Sequence, residues 1–413
     1  MLDIKYIREN LAEVKKALDK KHTRFDLDGL LKLDEKRRGL LGEIENLRAQ
    51  RNRLVKEKDI EGGKKIKKEL EKIEPELKRV EEEFNQLMAL MHNIPDKSVP
   101  HHKEGSQIIK KWGEIPKFDF KPKTHEELGK ILDIIDTERA AKVSGSRMGY
   151  LKNEAALLEF ALIDYLFEKL IKRKFTPMVV PVLVRDKAMF GTGFFPTEKI
   201  EYYKMAEDDL YLAGTAEVSL CGYHANEVLP ESLLPLKYVG FSSCFRREAG
   251  SYGKDTYGIF RVHQFDKIEM FVFAHPKNSW QEFEDLQKIV EEILQELGLP
   301  YQVVNMSGGD LGAPNAKKYD TEVWLPGQNR YRELTSCSHD TDFQARRLNI
   351  RFKPKSKEQR AKIEYVHTMN STAAAIGRTL IAILENYQQK DGTVKIPKVL
   401  QKYCNFKEIK TKI

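Results

Sequence analysis

Apolar positions in the first hundred residues recur with the spacing of two long amphipathic helices. In the second of these, Ile66, Leu70, Ile73, Leu77, Val80, Phe84, Leu87 and Met91 alternate steps of four and three, the a/d seam of a coiled coil. In the first, Leu33, Leu40, Leu47 and Leu54 repeat every seven residues, with Leu30 and Ile44 filling part of the companion position. Gly62-Gly63 lies between the two runs and predicts the turn. The pattern therefore predicts an antiparallel helical hairpin with arms over about 27–60 and 64–92, each about 40 Å long at the helical rise per residue. Pro75 falls inside the second arm, where a proline removes a hydrogen bond and costs about 3 kcal/mol. The seam continues on both sides of it, so one kinked helix is expected rather than two. Asn93-Ile94-Pro95-Asp96 and Val99-Pro100 read as a linker, separating residues 1–100 from residues 101–413.

Beyond the linker the pattern is mixed. Helices are predicted from Thr124 to about Asp136, from Asn153 to Lys172, from Trp280 to Leu297 and from about Thr372 to Gln388. The second of these feeds directly into Thr176–Val184, a short apolar strand. Pro181 within it cannot donate to a sheet ladder and belongs on an edge or at a boundary between subunits. Further strands are expected around Tyr211, Tyr238, Met270, Val303, Val323 and Tyr331. Strands interspersed with helices, without regular βαβ alternation, predict an α+β domain on a mostly antiparallel sheet.

The stretch from Cys244 to Phe273 breaks the apolar rule for strands. It reads as two strands joined by a glycine-studded loop, Ala249-Gly250-Ser251-Tyr252-Gly253 opening that loop. With period two, Arg246 and Glu248 share a face of the first strand. Arg261, His263, Phe265, Lys267 and Glu269 share a face of the second, opposite Val262, Ile268, Met270 and Val272. Cations, carboxylates and one aromatic ring on a common surface suit a nucleotide: cations for phosphates, a ring for the base, acids for an amine. A charged solvent face is the alternative, and exposed loop backbone where a phosphate could approach favours the nucleotide.

Composition narrows the classes. The chain has 413 residues, 41% apolar and 32% charged, which suits a soluble protein of two or three domains. Its longest apolar run, Pro177 to Val184, is too short to span a bilayer, and the N-terminus lacks a basic-then-apolar signal, so no membrane and a cytoplasmic location are expected. Cys221, Cys244, Cys337 and Cys404 are widely spaced without a CxxC pair, which argues for reduced structural thiols. The net charge of +8 is unevenly placed. Nine basic residues (Arg48, Arg51, Arg53, Lys56, Lys58, Lys64, Lys65, Lys67 and Lys68) crowd the expected hairpin tip against three acidic ones, Glu57, Asp59 and Glu61. Such a cluster suits a phosphate backbone, and it equally suits a solvated helix surface.

Together these stretches resemble class II aminoacyl-tRNA synthetases, and within them the seryl-tRNA synthetase family. The helix and strand ending at Pro181 resemble motif 1, which builds the family's dimer interface. Phe245-Arg246-Arg247-Glu248 with Arg261-Val262-His263-Gln264-Phe265 resembles motif 2, and Ala375-Ile376-Gly377-Arg378 resembles motif 3. Thr215-Ala216-Glu217, and Glu333-Leu334-Thr335-Ser336-Cys337-Ser338 running on to Thr341-Asp342-Phe343-Gln344-Ala345-Arg346-Arg347, narrow the likeness to serine. The resemblance covers essentially the whole chain and implies a tRNA-binding coiled-coil hairpin followed by a class II catalytic domain.

By that resemblance, Arg246 contacts the α-phosphate of ATP and Arg378 the γ-phosphate. Arg247, Val262, Leu334 and Thr335 belong to the ATP site. Phe265 stacks on adenine, Glu248 accepts from its amine, and Glu333 with Ser336 holds Mg²⁺. Thr215, Ala216, Glu217, Arg246, Glu269, Asn370 and Thr372 form the serine site, with Glu269 on the ammonium and Thr372 near the hydroxyl. The nine basic residues above contact tRNA. The implied reaction is ATP-dependent serylation of tRNA(Ser), and of selenocysteine tRNA, by a homodimer that binds tRNA across its subunits. Magnesium is expected and zinc is not. Two departures stand out: Asn370-Ser371-Thr372-Ala373 replaces the Asn-Gly-Ser-Gly of bacterial members and resembles archaeal and eukaryotic ones, and Tyr257 stands where many members carry arginine. A fold-sharing binding protein without catalysis would usually lack Arg246 or Arg378. A ligase acting on a carrier protein would usually lack the hairpin, and threonine or proline specificity would call for a further C-terminal domain.

Overall fold

The computed structural model describes residues 1–249, 258–355 and 362–411, which fall into two compact units, Met1–Ile94 and Pro95–Ile413. In the first unit, short helices α1 (Ile4–Glu9) and α2 (Leu11–Lys20) precede the long pair α3 (Leu27–Lys56) and α4 (Ile60–Leu90). Ile44, Leu47, Ile66 and Leu70 are buried against one another toward the tip, and Leu30, Phe84 and Met88 pack with α1 and α2 at the base. The a/d pattern thus becomes the hairpin seam. The turn lies earlier than Gly62-Gly63, which are inside α4. Lys58 takes a positive φ of 59°, and Asp59 caps α4 by accepting from the Gly62 amide at 2.9 Å. A carboxylate cap can start a helix before two glycines because it satisfies an amide that would otherwise be orphaned. Pro75 sits within α4, which is a single helix on both sides of it.

The second unit is built on an eight-stranded sheet. Its strands are β1 (Gln107–Trp112), β2 (Thr176–Val179), β3 (Leu236–Phe245), β4 (Gln264–Ala274), β5 (Tyr301–Asn305), β6 (Lys317–Leu325), β7 (Arg330–Thr341) and β8 (His367–Ala375). Their order is β1-β5-β6-β7-β8-β4-β3-β2, antiparallel throughout except where β2 runs parallel to β3. Helices α5 (Asn153–Lys172), α6 (Ser279–Glu296) and α7 (Ile376–Asn386) cover one face. Leu158, Leu162, Phe283, Val290, Leu380 and Ile383 form the main core there with Ile268, Met270 and Val272 of β4. On the opposite face of β4, Phe271 and Phe273 enter a second cluster with Ala216, Leu220 and Leu348. Phe265, Lys267 and Glu269 continue that same face into a pocket. One strand therefore seals a core with its even positions and builds a site with part of its odd ones.

Four local expectations are corrected. The expected strand Thr176–Val184 is interrupted: β2 stops at Val179, and Leu183–Arg185 pairs separately with Leu210–Leu212, since Pro181 offers no amide. The helix after Thr124 ends at Ile131 because Asp133 adopts a positive φ of 54°, and Ile135–Asp136 is extended. Thr372 lies in β8 rather than in a helix: it pairs with Glu269 across β4, and α7 starts only at Ile376. The motif 2 strands are also shorter than period two suggested. β3 ends at Phe245 and β4 begins at Gln264, which leaves Arg246, Glu248, Arg261 and His263 beyond the strands. Glu248 has a positive φ of 52°, incompatible with an extended ladder. Tyr257 and Gly250 to Gly253 lie outside the described residues.

Candidate active site

The pocket beneath β4, β7 and β8 has a volume of about 260 Å³ and a largely polar lining. Arg246, Glu248, Val262, Phe265, Glu333, Leu334, Thr335, Ser336, Arg378, Thr215, Glu217, Glu269, Asn370 and Thr372 all reach it. Residues separated by up to 163 positions in the chain (Thr215 and Arg378) thus meet at one cavity. Arg247 and Ala216 do not line it. Arg247 uses its backbone amide to hold Glu201 O at 2.8 Å, and Ala216 packs in the apolar cluster below.

Arg246 is held by short connections at the end of β3. Its backbone amide donates to His263 O at 2.9 Å, joining the two motif 2 segments where the strand ladder has stopped. Its guanidinium donates from Nε to Gly214 O at 3.3 Å and lies 5.4 Å from the Phe265 ring centroid. Arg378, in the first turn of α7, donates to Glu333 O at 3.0 Å and to Phe260 O at 3.3 Å, and lies 3.4 Å from the Glu333 carboxylate. Both forks are oriented by backbone carbonyls, and Arg378 is in addition paired with the Glu333 carboxylate. Glu248 receives Arg261 Nη1 at 2.6 Å.

An acidic cluster faces the two arginines. Ser336 Oγ donates to Asp320 at 2.6 Å and lies 3.3 Å from Glu333, and Lys318 Nζ is 3.2 Å from Asp320. Desolvation alone would raise the Glu333 carboxyl, yet Arg378, Lys318 and Arg246 hold it down to about 2. Asp320 behaves oppositely: burial outweighs Lys318 and, with the Glu333 charge adding, pushes it up to about 6. Glu333, Ser336 and Asp320, linked through the Ser336 hydroxyl, offer only oxygen, the donor set of a hard divalent cation, so these residues fit magnesium.

Glu269, also in the cavity lining, is almost fully buried. Thr215 and Thr372 each donate to its Oε2 at 3.3 Å, and Lys267 forms an ion pair with the same oxygen. Below them Glu217 is held by Gln344 Nε2 at 2.8 Å. Burial first, then the Asp340 and Glu269 charges, push the Glu217 carboxyl up to about 8. Asn370 donates to Asp340 at 3.3 Å. The cavity thus brings together two arginines and a buried carboxylate already paired with a lysine.

The chain is 44% identical to the serine–tRNA ligase of Thermodesulfovibrio yellowstonii over 427 residues, covering 99% of this chain and 100% of that protein. It belongs to the seryl-tRNA synthetase family. Residues 1–95 match the seryl-tRNA synthetase N-terminal domain, and residues 199–387 match the tRNA synthetase class II core domain (G, H, P, S and T). The crystal structure of seryl-tRNA synthetase from Pyrococcus horikoshii complexed with ATP superimposes with a TM-score of 0.93 at 43% identity, covering 100% of both chains. The cytoplasmic serine-tRNA ligase of Naegleria fowleri, in complex with AMP, gives a TM-score of 0.89 at 34% identity over 100% of this chain and 99% of that one. The long helix pair followed by a mostly antiparallel sheet with helices is the architecture these relatives share.

Several residues in or beside the pocket of this family member were given no role from the sequence. Lys267 could have been given one, since it shares a face with Phe265 and Glu269. Lys318 and Asp320 also alternate along β6 and could have been found by the same parity. Gln344 carried no such signal, because its contact with Glu217 spans 127 positions. The nine basic residues of the hairpin are all exposed. Among the described residues no helix is long and apolar enough to cross a membrane.

Proposed function

We propose that the pocket binds ATP and L-serine, joins them as seryl-adenylate with release of pyrophosphate, and passes serine to tRNA(Ser). The observation that carries this reading is a single cavity lined by the cations Arg246 and Arg378 together with Glu269, Thr215 and Thr372. A carboxylate must meet a phosphate in this reaction, so fixed positive charge is the main requirement, and no side chain need act as nucleophile. Arg246 lies where it can hold the α-phosphate and the serine carboxylate together, and Arg378 takes the γ-phosphate. Phe265 and Val262 receive adenine, while Arg247, Leu334 and Thr335 support the ATP site. Glu248 accepts from the adenine amine.

Glu269 accepts the serine ammonium, with Thr372 near its hydroxyl and Ala216, Glu217 and Asn370 completing the serine site. A hydroxyl-binding pocket discriminates well because its buried polar groups stay unpaired with alanine. Glu333 and Ser336 would hold magnesium rather than zinc. When bound, that ion supplies charge neutralisation on the phosphates.

In this reading residues 1–100 are the tRNA-binding domain and residues 101–413 the catalytic domain. The nine exposed cations of the hairpin meet the tRNA backbone and recognise shape and phosphates more than base edges. Selenocysteine tRNA is charged by the same route. The enzyme works in the cytoplasm as a homodimer with tRNA bound across subunits. Phe160 on the motif 1 helix, 66% exposed, and Val179 on the strand after it, 86% exposed, are apolar residues that a second copy would cover. Serine-dependent exchange of pyrophosphate into ATP tests the activity. Exchange with serine, and not with threonine or alanine, is expected; robust exchange only with another amino acid refutes the assignment.

A further inference from the structure

Glu269 is the one carboxylate on the odd face of β4, and the same strand supplies its counter-ion. Lys267 lies two residues earlier, so its side chain leaves the same face of the sheet. The Lys267 ammonium pairs with Glu269 Oε2 and lies 3.5 Å from Thr372 Oγ1, which itself donates to Glu269 at 3.3 Å. The side chains of Lys267 and Glu269 are 8% and 2% exposed, and both line the cavity. Thr215, Thr372 and Lys267 all address Oε2, which leaves Glu269 Oε1 without a hydrogen bond among the described residues.

We infer that Lys267 makes the Glu269 subsite electrically neutral when empty, so that the pocket accepts a zwitterion and rejects a simple cation. An incoming ammonium either shares Glu269 with Lys267 or displaces it. In both cases one buried cation exceeds what a single carboxylate can match, and an unmatched buried charge is strongly unfavourable. Only a ligand that brings its own anion restores the balance. An anion alone can reach Arg246 but leaves the Lys267–Glu269 pair as it stands and gains nothing at the amine subsite. Lys267 is thus a specificity-determining residue that couples recognition of the amine to recognition of the carboxylate. The inference rests on Glu269 as the acceptor of the substrate ammonium.

The test compares three probes on the full-length protein by calorimetry: L-serine, serinamide, which keeps the ammonium and hydroxyl but has no carboxylate, and 3-hydroxypropionate, which has no amine. On the wild type both analogues should bind at least about a hundredfold more weakly than serine. In Lys267→Gln the uncompensated Glu269 should welcome a cation, and the gap between serinamide and serine should close by at least about tenfold. Arg246 keeps some preference for the carboxylate in that variant, so the gap need not vanish. Lys267→Met serves the same comparison if the glutamine variant melts early. An unchanged ratio in a folded variant overturns the inference, as does wild-type serinamide binding within about threefold of serine. Glu269→Gln separates the two levels. Undiminished serine binding there removes the underlying reading, whereas lost serine binding with an unchanged ratio in Lys267→Gln removes only the role of Lys267.

Discussion

Removing two cations from the hairpin should flatten the salt dependence of tRNA binding by a calculable amount. Three of the nine basic residues already have acidic partners: Arg48 with Glu74 at 2.9 Å, Lys64 with Glu61 at 3.4 Å and Lys67 with Glu71 at 3.7 Å. Arg51, Arg53, Lys56, Lys58, Lys65 and Lys68 are exposed and make no ion pair among the described residues. Each cation that neutralises a phosphate contributes about 0.9 to the slope of log affinity against log salt, taking the duplex value. Six contacts give a slope near 5, or about a thousandfold loss of affinity between roughly 50 and 200 mM salt. Lys65→Gln with Lys68→Gln should lower that slope by about 2 and reduce the loss to about a hundredfold. Filter binding or fluorescence anisotropy across a salt series reads the slope directly. Lys15→Gln with Lys16→Gln, the same charge change on the exposed face of α2, is the control and should leave it unchanged. Equal flattening by both pairs would refute a contact localised at the tip. So would a slope that neither pair alters.

Two further outcomes follow from the catalytic unit. Glu217, its carboxyl pushed up to about 8 against an ordinary 4.5, binds its proton more tightly in the folded chain than in the unfolded one. Its stabilising contribution is therefore complete below pH 4.5 and lost as pH rises through 8, and Glu217→Gln should flatten the fall in melting temperature across that window in a scanning calorimetry series. An unchanged pH profile would contradict the assigned burial. Gly258 has a φ of +68°, and a Cβ there would lie 2.1 Å from His125 Nε2, the atom that accepts from the Ile259 amide at 3.3 Å. Gly258→Ala should cost about 2–4 kcal/mol in denaturant unfolding, from backbone strain plus displacement of the ring, and raise the KM for ATP through Val262 and Phe260. A loss below about 1 kcal/mol would show that the segment relaxes freely.

The hairpin was legible because its two patterns are local. Leucine and isoleucine at steps of three, four and seven leave a helix little choice of buried face, so the seam could be read before any partner was known. The position of its turn was not legible. Gly62-Gly63 is a common turn signature, but the Asp59 cap, a contact over three residues, overrides it and starts α4 earlier. The same competition explains Thr372. Its neighbours suit a helix, but pairing of Thr372 with Glu269 draws the chain into the sheet until Ala375.

Much of the candidate site was legible for a different reason. Glu269 and Glu333 are charged residues within strands, Arg378 lies within a helix and Arg246 just past a strand end, and such departures from apolar patterning mark places where function outweighs packing. Adjacency in a motif does not fix direction: Arg246 lines the cavity and Arg247 does not. Lys318, Asp320 and Gln344 acquire their roles only through strands and helices brought from elsewhere.

The sequence alone thus determined the overall α+β character, the helical hairpin with its charged tip, and the family to which the motifs belong. Those properties depend on spacing over a few residues and on side-chain chemistry. Only the tertiary structure decided which charges face one another. It paired Lys267 with Glu269 on one face of β4, set Arg378 beside Glu333, and raised Glu217 while lowering Glu333. The strength of a charge interaction depends on distance and burial, and both are set by the packing of distant segments rather than by their order along the chain.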